Sequence, residues 1–134
     1  MRAFFDTNIL IYAVTAEPRK QRADQLLRAG GSVSVQVLNE FANVAYKKLQ
    51  HDWTKIAFAL DRFRLSFDAV LPLTLDTHTA ALILARDNRL PFYDALIIAS
   101  AIEAGCDTLF SEDMQDGRTI GGLTIVNPFN KTAP

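Results

Sequence analysis

Residues 4–10 read FFDTNIL, a stretch in which three polar residues interrupt an otherwise apolar run near the start of the chain. Asp6, Thr7 and Asn8 all belong to residue types that favour the capping position before a helix. The stretch therefore predicts a short β-strand over residues 2–5, followed by a helix from about Asn8 with Thr7 or Asn8 as its cap. Asp6 has a second possible role, because a strand end can deliver a carboxylate to a binding cleft.

The rest of the chain alternates short apolar runs with longer segments of helical periodicity. This alternation is typical of βαβ units and predicts an α/β fold with a central parallel sheet. Five strands are expected, over residues 2–5, 32–35, 69–73, 108–110 and 123–126. Pro72 lies inside the third of them, and a proline within a strand indicates an edge position.

Amphipathic or apolar segments between these strands predict further helices. They cover residues 19–29, 37–49, 54–67, 76–88 and 93–104. Thr54 and Asp76 are residue types that cap helices, and we expect each to begin its helix. After the fifth strand, residues 127–134 are predicted to form a loose tail.

Length and charge limit the function classes that fit the chain. The 134 residues are enough for one domain with one core, so a single domain over residues 1–134 is expected. With 14 Lys and Arg against 15 Asp and Glu, the net charge of −1 gives no overall attraction to nucleic acid, so any such contact must be local. The sequence has neither a secretory signal pattern nor a long apolar stretch, which predicts a cytoplasmic protein without a membrane span.

Four carboxylates are predicted to meet at one edge of the sheet. Asp6 and Asp113 directly follow the first and fourth strands, Glu40 lies in the first turn of the helix after the second, and Asp94 begins the apolar helix that leads into the fourth. Taken singly, each has an ordinary explanation as a helix cap or a solvated turn residue. Together they would repel one another without a cation, and hard oxygen donors suit Mg²⁺ or Mn²⁺.

The order and spacing of four motifs carry a resemblance to a known family. They are FDTN at residues 5–8, NE at 39–40, LPFYDALI at 90–97 and LFSEDM at 109–114. With them the chain resembles PIN-domain proteins over nearly its whole length, and closely the VapC-type toxins of toxin–antitoxin pairs. The resemblance implies a single PIN domain with a three-layer α/β/α fold and a five-stranded parallel sheet.

The implied activity is that of an endoribonuclease that uses Mg²⁺ or Mn²⁺ and metal-activated water to hydrolyse RNA phosphodiester bonds. In this resemblance Asp6 and Asp94 bind the metal directly, and Asp113 binds it directly or through water. Glu40 orients or deprotonates the attacking water. Glu40 and Asp116 are possible further metal ligands, and Asp116 could share a second metal ion.

Two neighbouring side chains have supporting roles in this interpretation. Asn8 could form a hydrogen bond with the carboxylate of Asp6 or of Asp113, or simply cap its own helix. Ser111, where the family often has Thr, keeps a hydroxyl that can position a water molecule or a carboxylate.

The resemblance also implies partners. The RNA substrate would need cations near the acidic cleft, and Arg86, Arg89 and Arg118 are the candidates beside the acidic motifs. A small antitoxin and a homodimer are implied as protein partners. The aromatic residues that could serve either contact, or simply pack in the core, are Tyr46, Trp53, Phe58 and Phe63.

Three alternatives compete with the toxin hypothesis. The first is a housekeeping PIN nuclease without an antitoxin, and the second is an RNA-binding PIN fold without catalysis. The third is a non-enzymatic receiver-like domain, which also carries an Asp at a strand end. A receiver needs a Lys after its last strands, but beyond Lys55 the only lysine is Lys131, in the tail.

Overall fold

Six short β-strands organise the protein in the computed structural model, which describes residues 1–130. One sheet has the strand order β1-β4-β6-β5, in which β1, β4 and β6 are parallel and β5 is antiparallel to β6. A parallel pair, β2 and β3, joins this sheet through a single bridge between Phe4 and Ser32. The strands are β1 Ala3–Phe5, β2 Val33–Ser34, β3 Val70–Leu71, β4 Thr108–Phe110, β5 Thr119–Ile120 and β6 Leu123–Val126.

The α/β class and the mostly parallel sheet are confirmed, and all five expected strands are present, but residues 1–130 contain a sixth strand, β5, that was not expected. This additional strand has two residues and forms an antiparallel hairpin with β6. The hairpin turns at Gly121 and Gly122, which have φ values of 56° and 81°. Positive φ at both turn positions suits glycine and a tight two-residue connection. The expected edge position of the third strand is confirmed, since β3 pairs only with β2 in the described chain.

Within residues 1–130, six helices connect the strands. They are α1 Thr7–Ala13, α2 Lys20–Ala29, α3 Val35–Lys47, α4 Trp53–Ser66, α5 Leu75–Asn88 and α6 Phe92–Glu103. Two predicted caps are wrong, because the Asp52 side chain caps α4 and the Thr74 side chain caps α5. Thr54 and Asp76 are instead the second residues of these helices. The true caps precede the helices in extended backbone, where a side-chain oxygen can accept from an N–H group of the first turn.

The core is built around β1, β4 and α6. Phe4, Phe5, Ile97, Ile98 and Leu109 are completely buried and belong to one apolar cluster. Because α6 is apolar on nearly every face, it packs inside the molecule, with α5 beside it. Among residues 1–130, no helix is long and apolar enough to cross a membrane.

The prediction of a loose tail is wrong where the structure describes it. Asn127 donates its backbone N–H to Asp116 (2.8 Å), and Pro128 is buried. The Phe129 ring packs edge-on against Tyr12, with 5.2 Å between ring centroids. The remainder of the predicted tail, residues 131–134, lies outside the described residues.

Candidate active site

Asp6 is held where β1 ends and α1 begins. Its backbone N–H donates to the Phe110 carbonyl (3.0 Å), which fixes the end of β1 against the end of β4. The carboxylate accepts from the Thr7 backbone N–H (2.7 Å) and from the Ser111 hydroxyl (2.7 Å). Asp6 is therefore itself the N-cap of α1, so the expectation that Thr7 or Asn8 caps this helix is wrong.

The buried position changes the acidity of Asp6. Only 5% of the residue is exposed, and this burial raises the pKa of its carboxyl to about 6. The hydrogen bonds from Ser111 and Thr7 lower the pKa, and the negative charges of Glu40 and Asp94 raise it again. An ionised Asp6 is thus destabilised by its surroundings unless a cation compensates it.

Glu40 projects from α3 toward the same junction. Its Oε1 accepts from the Thr7 hydroxyl (3.1 Å) and its Oε2 accepts from the Gln36 side-chain amide (2.9 Å). Gln36 is buried and was missed in the sequence analysis, although its spacing of four residues from Glu40 on one helix was a usable signal. Both carboxylate oxygens of Glu40 are therefore oriented by neutral donors.

Asp94 and Asp113 complete a chain of interacting carboxylates. Asp94 lies in the first turn of α6, where partial burial and then the charges of Glu40 and Asp113 raise its pKa. Asp94 and Asp113 both line a cavity of about 240 Å³. The structure thus brings Asp6, Glu40, Asp94 and Asp113 within electrostatic reach of one another.

The Asn8 side chain links two of the interacting carboxylates, Asp6 and Asp113. Its side-chain amide donates to Asp6 Oδ2 (3.4 Å) and to Asp113 Oδ2 (3.3 Å), and its Oδ1 accepts from the Glu112 backbone N–H (3.2 Å). Both hydrogen-bond partners considered for Asn8 in the sequence are therefore present. The side chain ties the start of α1 to the segment after β4.

The polar residues near Asp113 in the sequence contact different parts of the protein. Ser111 is buried, and its hydroxyl donates to Asp6 while accepting from the Met114 backbone N–H (3.2 Å). Glu112 points toward Tyr12, which donates to it, and forms an ion pair with Arg19 (2.6 Å). The Asp116 carboxylate accepts from Asn127, and within residues 1–130 no interaction joins it to the other acids.

Two of the three candidate arginines line the cavity at the acidic site, and the third does not. Arg89 and Arg118 line the 240 Å³ cavity with Asp94 and Asp113. Arg86 does not line this cavity and pairs with Asp87 (2.8 Å) on the exposed surface. None of the ion pairs within residues 1–130 includes one of the four clustered carboxylates.

The fit of this cluster to a divalent ion depends on its donor chemistry. In the described part of the chain, no three His, Cys, Asp or Glu side chains form a ready metal-binding group. The four carboxylates nevertheless supply hard oxygen donors, and within residues 1–130 no ion pair compensates their negative charge. Mg²⁺ keeps several waters and needs only one or two protein carboxylates, so this donor set fits it.

The fold and the site define a class: a mostly parallel α/β protein with interacting carboxylates at the carboxyl ends of its strands. Residues 3–115, well over half of the chain, match the PIN domain family. The chain therefore belongs to the PIN domain family, and the resemblance identified from its motifs is confirmed. No match was found among curated proteins.

Solved structures similar to the chain come from toxin–antitoxin systems. A toxin–antitoxin complex from Klebsiella pneumoniae is 26% identical, with a TM-score of 0.69, and the match covers 95% of this chain and 98% of that one. VapC20 of Mycobacterium tuberculosis, described as a sarcin–ricin loop cleaving toxin, is 23% identical with a TM-score of 0.65 over 83% and 91%. VapBC-1 of nontypeable Haemophilus influenzae is 19% identical with a TM-score of 0.68 over 97% and 100%.

Proposed function

We propose that the protein is an endoribonuclease toxin of a toxin–antitoxin pair that depends on Mg²⁺ or Mn²⁺. The observation that carries this proposal is the group of mutually interacting carboxylates around the buried Asp6, whose pKa is raised to about 6. Membership of the PIN domain family supports it and argues against the receiver-like alternative. RNA as substrate is supported by the description of the similar VapC20 protein.

Four side chains have distinct parts in the proposed reaction. Asp6 and Asp94 would bind the metal directly, and Asp113 directly or through water. A divalent ion held by these residues would make water more acidic and would polarise a phosphoryl oxygen. Glu40 is the base candidate, because each of its oxygens accepts one hydrogen bond and keeps a lone pair for a water proton.

Neighbouring residues would keep these groups in place during hydrolysis. Ser111 and the Thr7 backbone hold the Asp6 carboxylate, and Asn8 links it to Asp113. Such fixed orientation allows a carboxylate to act without reorganising during the reaction. Asp116 is retained only as a possible ligand of a second ion, since it already accepts a hydrogen bond from Asn127.

Cleavage of RNA by the purified protein tests this proposal. We expect cleavage with Mg²⁺ or Mn²⁺, none with EDTA, and none for Asp6→Asn or Asp94→Asn. Asp87→Asn is the matched control, because Asp87 is exposed and pairs with Arg86 outside the cluster. Undiminished cleavage by both cluster variants, or cleavage in EDTA, would contradict the proposal, whereas RNA binding without cleavage would favour the non-catalytic PIN alternative.

An antitoxin is the protein partner in this proposal. A larger cavity of about 590 Å³, lined by none of the four carboxylates, lies among residues of α1, α2 and α4. Its walls combine the cations Arg28, Lys55 and Arg62 with apolar groups such as Phe58. An apolar segment that carries carboxylates would fit there, and similar solved structures are complexes with antitoxins.

Co-expression tests the antitoxin proposal. The short open reading frame adjoining the gene, if it encodes the antitoxin, should relieve growth arrest by the wild-type chain but not by Phe58→Asp. Asp61→Asn, an exposed change on the same helix, is the control. Absence of any short neighbouring gene would favour the housekeeping nuclease.

A homodimer completes the proposed partners. Tyr46 and Trp53 stack on each other in exposed positions, with ring centroids 4.0 Å apart, and Phe58 is also exposed. Phe63 is partly buried and packs edge-on against Phe41, so it is a poorer candidate for a contact between copies. Light scattering of the wild-type chain and of Trp53→Ser tests this: a dimer should be present and should weaken.

A further inference from the structure

Arg89 adopts a backbone conformation that side chains seldom take. Its φ and ψ values of 55° and 51° are left-handed, and Gln50 is the other non-glycine residue with positive φ in residues 1–130. Arg89 ends α5, a position at which helices commonly have glycine because it has no Cβ. An arginine in this place is unfavourable for the fold and points to a role for its side chain.

The turn that carries Arg89 is firmly held. The backbone N–H groups of Arg89 and Leu90 both donate to the Ala85 carbonyl. The Asn88 carbonyl accepts from the Arg118 guanidinium (2.7 Å). Because these bonds fix the backbone, the point at which the Arg89 side chain begins is also fixed.

This fixed point lies at the acidic site. Arg89 lines the 240 Å³ cavity together with Asp94 and Asp113. Within residues 1–130, no hydrogen bond or ion pair occupies its guanidinium, whereas Arg86 is paired with Asp87 and Arg118 is engaged by Asn88. Within residues 1–130, Arg89 is therefore the cation of this cavity whose guanidinium has no protein partner, whereas one N–H of Arg118 is already used by the Asn88 carbonyl.

We propose that Arg89 binds a phosphate of the RNA chain beside the carboxylate cluster. A cleft with four carboxylates repels phosphate, and a guanidinium can offset this by two parallel charge-assisted hydrogen bonds. This inference rests on the proposed function, since it assigns a binding group for the same substrate. It also selects Arg89 from the three arginines near the acidic motifs.

The inference is tested by measuring RNA binding of variants in which residue 89 is uncharged and tolerates the left-handed backbone. Arg89→Gly and Arg89→Asn are made in an Asp94→Asn chain, so that the RNA stays intact, and Arg86→Ala in the same chain is the control. The probe is a fluorescein-labelled single-stranded RNA of mixed sequence, titrated in Mg²⁺ over a KCl series. Thermal unfolding of each variant is measured in parallel.

Both residue-89 variants should bind the labelled RNA about tenfold more weakly than the Asp94→Asn parent chain. The slope of the logarithm of the binding constant against the logarithm of the salt concentration should fall in magnitude by about 0.7, the value for one lost phosphate contact. Their Tm should be unchanged or, for Arg89→Gly, higher, because glycine adopts this backbone without strain. Arg86→Ala should match the parent chain. A purely structural role for Arg89 would not reduce the salt slope.

Unchanged affinity, or weaker binding with an unchanged salt slope, would overturn the role of Arg89. Cleavage of RNA by the wild-type chain, measured separately, shows which proposal has failed. If the wild type cleaves but Arg89→Gly binds like the parent, only the inference about Arg89 is wrong. If the wild type does not cleave and the parent does not bind RNA, the inference and the proposed function are both wrong.

Discussion

The raised pKa of Asp6 predicts how the stability of the metal-free protein depends on pH. Its value of about 6 in the fold lies above the ordinary value of 3.8. Between these values the folded state holds a proton that the unfolded state has lost, so the free energy of unfolding falls as pH rises from about 4 to about 6. Stability associated with protonated Asp6 is complete at lower pH and is lost as pH passes through the folded pKa.

The size of this effect follows from the same two values. At about 1.4 kcal/mol for each pKa unit, the loss approaches about 3 kcal/mol near pH 7. Asp6 is only 5% exposed, so solvent screening reduces this figure little. Asp94, whose pKa is also raised, contributes in the same direction.

Urea unfolding over a pH series, in EDTA, measures the effect in the wild type and in Asp6→Asn. The variant has no ionisable group at this position, so its profile should lack most of the decline between pH 4 and pH 6. Loss of hydrogen bonds in the variant shifts its profile as a whole, and the comparison therefore uses the slope. Asp87→Asn should keep the wild-type slope over this window, because Asp87 is exposed and its pKa is lowered.

The second part of the test repeats the unfolding series with added Mg²⁺. A cation beside Asp6 favours the ionised carboxylate, so its binding should raise stability near pH 7 and flatten the decline in the wild type only. Parallel profiles for the wild type and Asp6→Asn would refute the inferred burial and repulsion at Asp6. A wild-type profile unaffected by both Mg²⁺ and Mn²⁺ would contradict the metal site.

Two other substitutions test the residues that orient the carboxylates. Ser111→Ala removes a hydrogen bond that lowers the Asp6 pKa, so this pKa should rise further. The free energy of unfolding at pH 7, measured by urea titration, should fall by about 1–3 kcal/mol. Ser111→Thr keeps the hydroxyl and should restore the Asp6 pKa. Gln36→Leu removes the donor to Glu40 Oε2 and should lower kcat about tenfold in RNA cleavage assays, with a stability change below about 1.5 kcal/mol. Full activity in Gln36→Leu would show that this donor does not orient the base.

Local sequence patterns were sufficient for the α/β class and for the strand that delivers Asp6. They were insufficient for strand β5 and for the two helix ends at which neighbouring residues compete to be the cap. Strand β5 has two residues, and it exists because β6 offers it a partner. Asp52 and Thr74, not Thr54 and Asp76, cap their helices because the cap is set by where the backbone leaves the extended conformation.

The candidate site was predictable as a set of residue types but not as an arrangement. Motif spacing selected Asp6, Glu40, Asp94 and Asp113, and the structure brings these four together. Their hydrogen-bond partners depend on contacts across the chain, as between Ser111 and Asp6, 105 residues apart. No local pattern could assign those partners, because each depends on how separate segments pack.

The sequence by itself determined the order of the helices and of every strand except β5, the chemistry of the acidic residues and their placement at strand and helix ends. These features depend on periodicity and residue type, which act over a few neighbouring residues. Only the tertiary structure decided the raised pKa of Asp6, the orientation of Glu40 and the position of Arg89 in one cavity with Asp94. The physical reason is that burial and Coulomb interaction depend on distances in space, which the folded chain sets between residues far apart in sequence.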